Sequence, residues 1–524
     1  MNNKLYKNYY LSIFFLIAIF LLFYIFINTG IQGDEYFAIN EFKKTNNINR
    51  FISLKNDVPM QHIFAITDYY LRWWLYYIFL DNFPIAFDLG KIFFNFITIY
   101  FFYIFLTIFF DNKKSLLLSI AFVFFPNHEA TAFTYMTILH VFGPSVLMLC
   151  YYLIYHDKKF GYYLLYPACF LTYANPPFML GLGFLFLLKK KFKKFILFSI
   201  PCLIYLIFYL TIAYKFPGVE KRLDSQINLL QFIKNFTLQI ITLFDSFIGP
   251  SFFLKIIYSY KEISLLSALI ALVISLFLIN QKNKIKISNE KNFLCKKLIL
   301  SALIVFFSSI IMFSMTGQYN YTPFNHANRA NIYFCFFVII ILGSLLSWRN
   351  QKIFFILIII FPILGLSDHW KKWNDINKKI ISNISYLDLN KIKKNDLILV
   401  SGNNFSKMNK IAHIESFVMP WHTKAVFELK KNLSNIYPIT DTLIFKNEFI
   451  YDYKYNVQLN LKDYKNIYLY DTDKNIIKHI DYNIDYLKLM KPNYKRHWIQ
   501  ILNIDFLNKI IIFLSPRLNY LFVN

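Results

Sequence analysis

A chain of 524 residues that is 57% hydrophobic and 20% aromatic, with only 13 glycines, does not suit a string of soluble domains. Its formal charge of +26 is carried by lysines clustered between apolar runs, as the positive-inside rule places them, so nucleic acid is not expected as a partner. The cysteines Cys150, Cys169, Cys202, Cys295 and Cys335 show neither metal-site nor disulfide-framework spacing.

The first apolar run, Asn8 to Gly30, carries no charge and is long enough to span a bilayer. It is too long for a signal peptide's apolar core and lacks a small-residue cleavage site, so it reads as a permanent span. Lys4 and Lys7 set the N-terminus in the cytoplasm, and Asp34 and Glu35 then emerge on the far side. Adjacent carboxylates at the mouth of a span need water, a cation or a reacting group. A solvated loop that merely stops the helix accounts for them as well. Residues 31–85 read as an outer loop holding His62 and the segment Leu71 to Tyr77, whose Trp73 and Trp74 suit a helix at headgroup level.

Ile92 to Phe110 is a span returning to Lys113 and Lys114. Lysine pairs on either side of Ser115 to Tyr155 require an even number of crossings, with the break Pro126-Asn127-His128-Glu129 outside. The same parity applies to Phe160 to Leu188, broken at Asn175-Pro176-Pro177 into arms that reach only about 21 Å each. Phe195 to Tyr214 crosses outward. Residues 215–260 form a second outer loop containing Lys221 and Arg222, with Phe236 to Ile257 lying at the interface. Spans at Ile263 to Asn280, Leu298 to Met315, Ala330 to Trp348 and Ile353 to Ser367 bring the total to about eleven.

Residues 1–367 are therefore read as a polytopic α-helical membrane domain, and 368–524 as a small mixed α/β or β-rich extracytoplasmic domain. In the latter, Asp396 to Ser401 and Asn466 to Asp471 have strand character, with Ile439 to Phe445 and Phe449 to Leu461 as further strands. The final segment, Ile501 to Phe522, is amphipathic and is expected to rest on the membrane.

No phosphate-cradling glycine loop, zincin pair or nucleophile elbow is present. What remains is a set of polar groups that topology collects on the outer face: Asp34 and Glu35, His128 and Glu129, Lys221 and Arg222, and Asn325-His326-Ala327-Asn328-Arg329. A carboxylate can deprotonate an acceptor hydroxyl, and arginine or histidine can stabilise a departing phosphate. His326 and Arg329 lie one helical turn apart.

This arrangement resembles the GT-C superfamily of integral-membrane glycosyltransferases, among them the protein mannosyltransferases and the aminoarabinose transferases of lipid A. In that family an acidic pair stands in the first extracytoplasmic loop, a further acid often stands in the second, and a soluble domain may follow the last span. The resemblance implies catalytic roles for Asp34, Glu35 and Glu129. It implies substrate-binding roles for His62, His128, Arg222, His326 and Arg329, with Arg329 foremost for the carrier phosphate. It implies a polyprenyl-phosphate sugar donor, a lipid, glycan or protein acceptor, inversion at the anomeric carbon with Asp34 as base, and no required cofactor. Asp34, Glu35, His128 and Glu129 would suit magnesium or manganese if an ion is used. The location implied is a bacterial inner membrane with the site on the extracytoplasmic side. The Trp-Trp-Asp-Tyr-Gly signature of oligosaccharyltransferases is missing after Trp73-Trp74. A lipid-linked polysaccharide polymerase or ligase, and a lipid or glycan transporter or flippase, stand as alternatives.

Overall fold

Where water is excluded a chain must satisfy its backbone internally, and the apolar runs do so as helices. The computed structural model describes residues 2–45, 83, 85–215, 228–281, 289–316, 320–388, 392–393, 395–446, 448–452, 457–480, 484–492, 495–502 and 504–514. Among the described residues, five helices are long and apolar enough to cross a membrane: Ile85–Leu106, Leu229–Glu262, Phe293–Met315, His326–Leu345 and Trp348–Tyr386. Phe15–Phe26, Leu139–Tyr155, Asn175–Leu188 and Leu265–Ile279 are apolar but shorter. The count of about eleven full spans is therefore not reproduced among the described helices. Breaks divide several runs into short arms, as where Pro176 and Pro177 open Asn175–Leu188 in the first-turn positions that need no backbone N–H.

One stretch departs from its reading more sharply. Phe236 to Ile257, expected to lie at the interface within an outer loop, is helical and belongs to the span-length segment Leu229–Glu262. Its interruptions are satisfied within the fold. The helix Leu229–Phe247 stops at Ile248, and Pro250 starts Pro250–Glu262. Asp245 bridges the joint by accepting from the Ser251 backbone N–H at 3.2 Å and the Ser251 hydroxyl at 2.5 Å.

The chain divides into two units. The first comprises Met1–Gly30, Asn46–Pro323 and Ala327–Asp368. Its helices approach closely where side chains are small. A Cβ at Gly181 would meet the Val305 side chain at 2.4 Å, and the Ser301 hydroxyl donates to the Gly181 carbonyl at 2.7 Å.

The second unit comprises Ile31–Thr45, Phe324–His326 and His369–Asn524. Residues 31–45 and 324–326, read from sequence as parts of the membrane domain, thus group with the C-terminal residues. The central sheet joins β1 (Leu397–Ser401), β4 (Ile436–Pro438), β8 (Ile467–Asp471) and β9 (Ile476–Ile480) in the order β4-β1-β8-β9. β1 runs parallel to both β4 and β8, and β9 pairs antiparallel with β8. Two smaller sheets complete the unit: the hairpin of β2 (Phe405–Met408) with β3 (Ile411–Glu415), and the meander of β5 (Leu443–Lys446), β6 (Phe449–Asp452) and β7 (Val457–Asn460).

β1 is an unbroken apolar run because both its faces are covered. Leu397 and Leu399 pack with Ile450 and Phe445 of the meander, while Ile398 and Val400 pack with Ile384, Val426 and Phe427 of the helices. The crossover between β1 and β4 carries helix Pro420–Lys431, closed by Asn432 in the left-handed conformation with its N–H on the Glu428 carbonyl. Helix Asp34–Thr45 packs on that crossover helix, with Asn40 and Lys44 both donating to the Glu428 carboxylate. Ile39 is fully buried in this contact-bearing helix.

Candidate functional site

The corner that carries Asp34 is shaped by backbone turns. Gly33 adopts φ +52°, a conformation that L side chains rarely take, and the helix starts at the next residue. Asp34 and Glu35 both occupy the first turn, where the aligned peptide dipoles favour negative charge. From there the two acids part ways. Glu35 is buried, and its Oε2 accepts the Gln32 backbone N–H at 2.7 Å in the manner of a capping box. Asp34 is only half-buried. Its Oδ1 accepts the indole N–H of Trp421, from the first turn of the crossover helix, at 2.7 Å. No described residue engages the other oxygen, Oδ2.

Two histidines stand at the same corner. His326 Nε2 lies 3.4 Å from the Glu415 carbonyl oxygen, and a Cβ at Gly33 would come within 3.2 Å of that nitrogen. His422 follows Trp421 and is fully buried, ringed by Tyr36 and Phe417, each with centroids 5.4 Å away. Neither of its ring nitrogens has a hydrogen-bond partner among the described residues. Burial, reinforced by the charge of His326 and only partly offset by the backbone of Gly33, lowers the pKa of His422 to about 3. It is neutral at physiological pH. Behind the corner, the buried guanidinium of Arg496 joins Glu415 at 2.7 Å and grips Asp441 with two bonds of 2.9 and 3.1 Å. That triad locks the β3 end to which His326 is attached.

The first unit holds a separate polar centre. Glu129 is fully buried, with Oε1 2.7 Å from the equally buried Lys255 ammonium and Oε2 accepting from Asn328 at 2.6 Å. The Asn328 side-chain oxygen accepts the Ala130 N–H in return. His128 is buried with its ring between the Phe122 carbonyl at 2.7 Å and the Thr131 hydroxyl at 2.8 Å. These groups satisfy one another, which is what a buried ion pair requires to persist. A second buried pair, Asp88 and Lys91 at 3.3 Å, clasps the turn that ends the first helix. Asp88 accepts from the backbone of Asn28 and Gly30, and Lys91 donates to Thr29 and to the Gly30 carbonyl.

The residues singled out in the sequence are thus divided. Asp34, Glu35 and His326 share the second unit, whereas His128, Glu129 and the half-buried Arg329 belong to the first. His62 and Arg222 lie outside the described residues. The roles observed for Glu35 and Glu129 are a helix cap and a neutralised buried pair, and Asp34 alone of the three keeps a carboxylate oxygen open. Trp421, His422, Arg496, Lys255 and the Asp88–Lys91 pair were not singled out as site residues. Asp88 and Lys91, one turn apart within an apolar run, carried a usable signal, since ionisable groups there are costly. Trp421 carried none. Among the described residues no group of three His, Cys, Asp or Glu is placed to hold a metal ion. Compared with models of protein families, with curated proteins and with solved structures, the chain matches none.

Proposed function

We propose that this chain is a membrane glycosyltransferase that moves a sugar from a polyprenyl-phosphate carrier to a lipid, glycan or protein acceptor, with Asp34 as the general base. The observation that carries the reading is the state of Asp34. One oxygen is fixed by Trp421 while the other is open, four residues after the charge-free run Asn8 to Gly30. A base for an acceptor hydroxyl needs this combination of fixed orientation and a free lone pair.

In the proposed reaction Oδ2 of Asp34 takes the acceptor proton as the acceptor oxygen attacks the anomeric carbon. The bond to the carrier phosphate breaks on the opposite side, so the configuration inverts. Trp421 holds the carboxylate's plane. His326, beside Gly33 in the same unit, is the cationic candidate for the departing phosphate. The acidic helix start also has a purely structural use, as Glu35 demonstrates, and the proposal rests on Asp34 differing from it. The reaction would take place on the extracytoplasmic face of a bacterial inner membrane.

The test is reconstitution of the full chain in vesicles with a panel of radiolabelled polyprenyl-phosphate sugars. Transfer of label from one of these carriers, with inverted anomeric configuration in the product, is expected. Turnover of none of them, by protein shown to be folded, would contradict the proposal.

A further inference from the structure

The second unit leaves one apolar stripe uncovered. Among its described residues, half of the large apolar side chains that are exposed fall within the thirteen residues from Leu502 to Leu514. Helix Asp505–Leu514 shows Phe506 at 70% and Phe513 at 67% exposure, with Ile510 exposed between them. These positions are four and three residues apart, so they share one helix face. The reverse face is half-buried at Leu507, Ile511 and Ile512 and closes with the buried Leu514.

Charge indicates what covers it. From Lys488 to Lys509 the sequence has Lys488, Lys491, Lys495, Arg496 and Lys509 against one acid, Asp505. Lys509 is exposed on the same helix as the stripe. The sequence beyond, Ser515 to Asn524, adds Arg517 and the apolar Leu518, Tyr520, Leu521, Phe522 and Val523, and no acid. An exposed apolar face flanked by lysines suits the boundary between anionic headgroups and acyl chains. A chain with five span-length apolar helices keeps such a surface within reach.

We propose that helix Asp505–Leu514 lies in the plane of the bilayer surface, with Phe506, Ile510 and Phe513 among the acyl chains and Lys509 at the headgroups. This does not depend on the transferase reading. It makes the second unit a domain held to lipid at its C-terminal helix as well as through the chain that enters it.

The test uses the unaltered full-length protein in vesicles of phosphatidylcholine and phosphatidylglycerol containing a phospholipid with a diazirine midway along its acyl chain. After irradiation, adducts are mapped by mass spectrometry. The peptide covering 502–514 is expected to carry lipid adducts at about tenfold the yield of the exposed strand Ile476–Ile480, which serves as the water-facing reference. Equal labelling of the two peptides would overturn the proposal, and so would labelling of 502–514 below that of the reference strand.

Discussion

Trp421 donates its indole hydrogen to Asp34 across 387 residues of sequence, in a bond of 2.7 Å. A hydrogen bond to a carboxylate contributes about 1.5–3 kcal/mol, and here it also selects which oxygen remains open. Trp421→Phe removes the donor and keeps an aromatic ring, though a smaller one. In the reconstituted transfer assay the turnover number is expected to fall about tenfold while KM stays within about twofold, because orientation of the base is lost rather than substrate binding. Parallel loss of thermal stability and activity would make Trp421 a packing residue only.

Glu35 should behave in the opposite way. Its carboxylate is engaged with the Gln32 backbone. Glu35→Ala is expected to lower stability by about 0.5–2 kcal/mol, the range for removing a helix cap. Turnover per folded molecule should stay near that of the parent protein. Melting curves and active-fraction measurements on the same preparation separate the two effects.

The Glu129–Lys255 pair gives a prediction about the first unit. Both side chains are fully buried and meet at 2.7 Å. Lys255→Met strands a buried carboxylate and should cost about 3–5 kcal/mol. Adding Glu129→Gln to that variant removes the stranded charge and should recover a good part of the loss, which thermal denaturation in detergent would register. Additive losses in the double variant would show that the two residues are not coupled.

His422 gives the second unit a pH dependence with a definite sign. Its pKa lies at about 3 in the fold against an ordinary 6.5, because burial and the charge of His326 both oppose protonation. The unfolded chain therefore binds this proton more readily. The stability that goes with the neutral imidazole is complete above about 6.5 and is lost as the pH falls toward 3, with a slope of up to about 1.4 kcal/mol per pH unit. Melting temperature measured from pH 7 to pH 4 should fall less steeply in His422→Phe than in the parent protein. Identical slopes would remove His422 as the cause.

Some of this structure was legible in the sequence because a local pattern has one physical cause. The run Asp396 to Ser401 reads as a strand, and Leu397–Ser401 is one, with the covering of both its faces added by the structure. The Pro176-Pro177 pair reads as a helix break, and it starts a helix. The contribution of residues 31–45 to the second unit was not legible. Their polar, acid-headed composition matches an outer loop, and only Ile39, at helical spacing from Tyr36, marked a face needing cover. Lys255 reads as an interruption in an interfacial apolar stretch, because its partner Glu129 lies 126 residues earlier and periodicity carries no information about such pairings. The bond from Trp421 to Asp34 was beyond reach for the same reason. The site could be suspected from a pair of acids, but which acid is open depends on a residue that nothing local connects to it.

The central claim concerns Asp34 and is tested most directly by sugar release from the polyprenyl-phosphate donor in Asp34→Asn, a change that retains size and can still accept the Trp421 hydrogen bond. With melting temperature unchanged, turnover is expected to fall by at least about a thousandfold, the scale for losing a positioned general base. An Asp34→Asn protein that transfers sugar at a rate comparable to the parent would contradict the account.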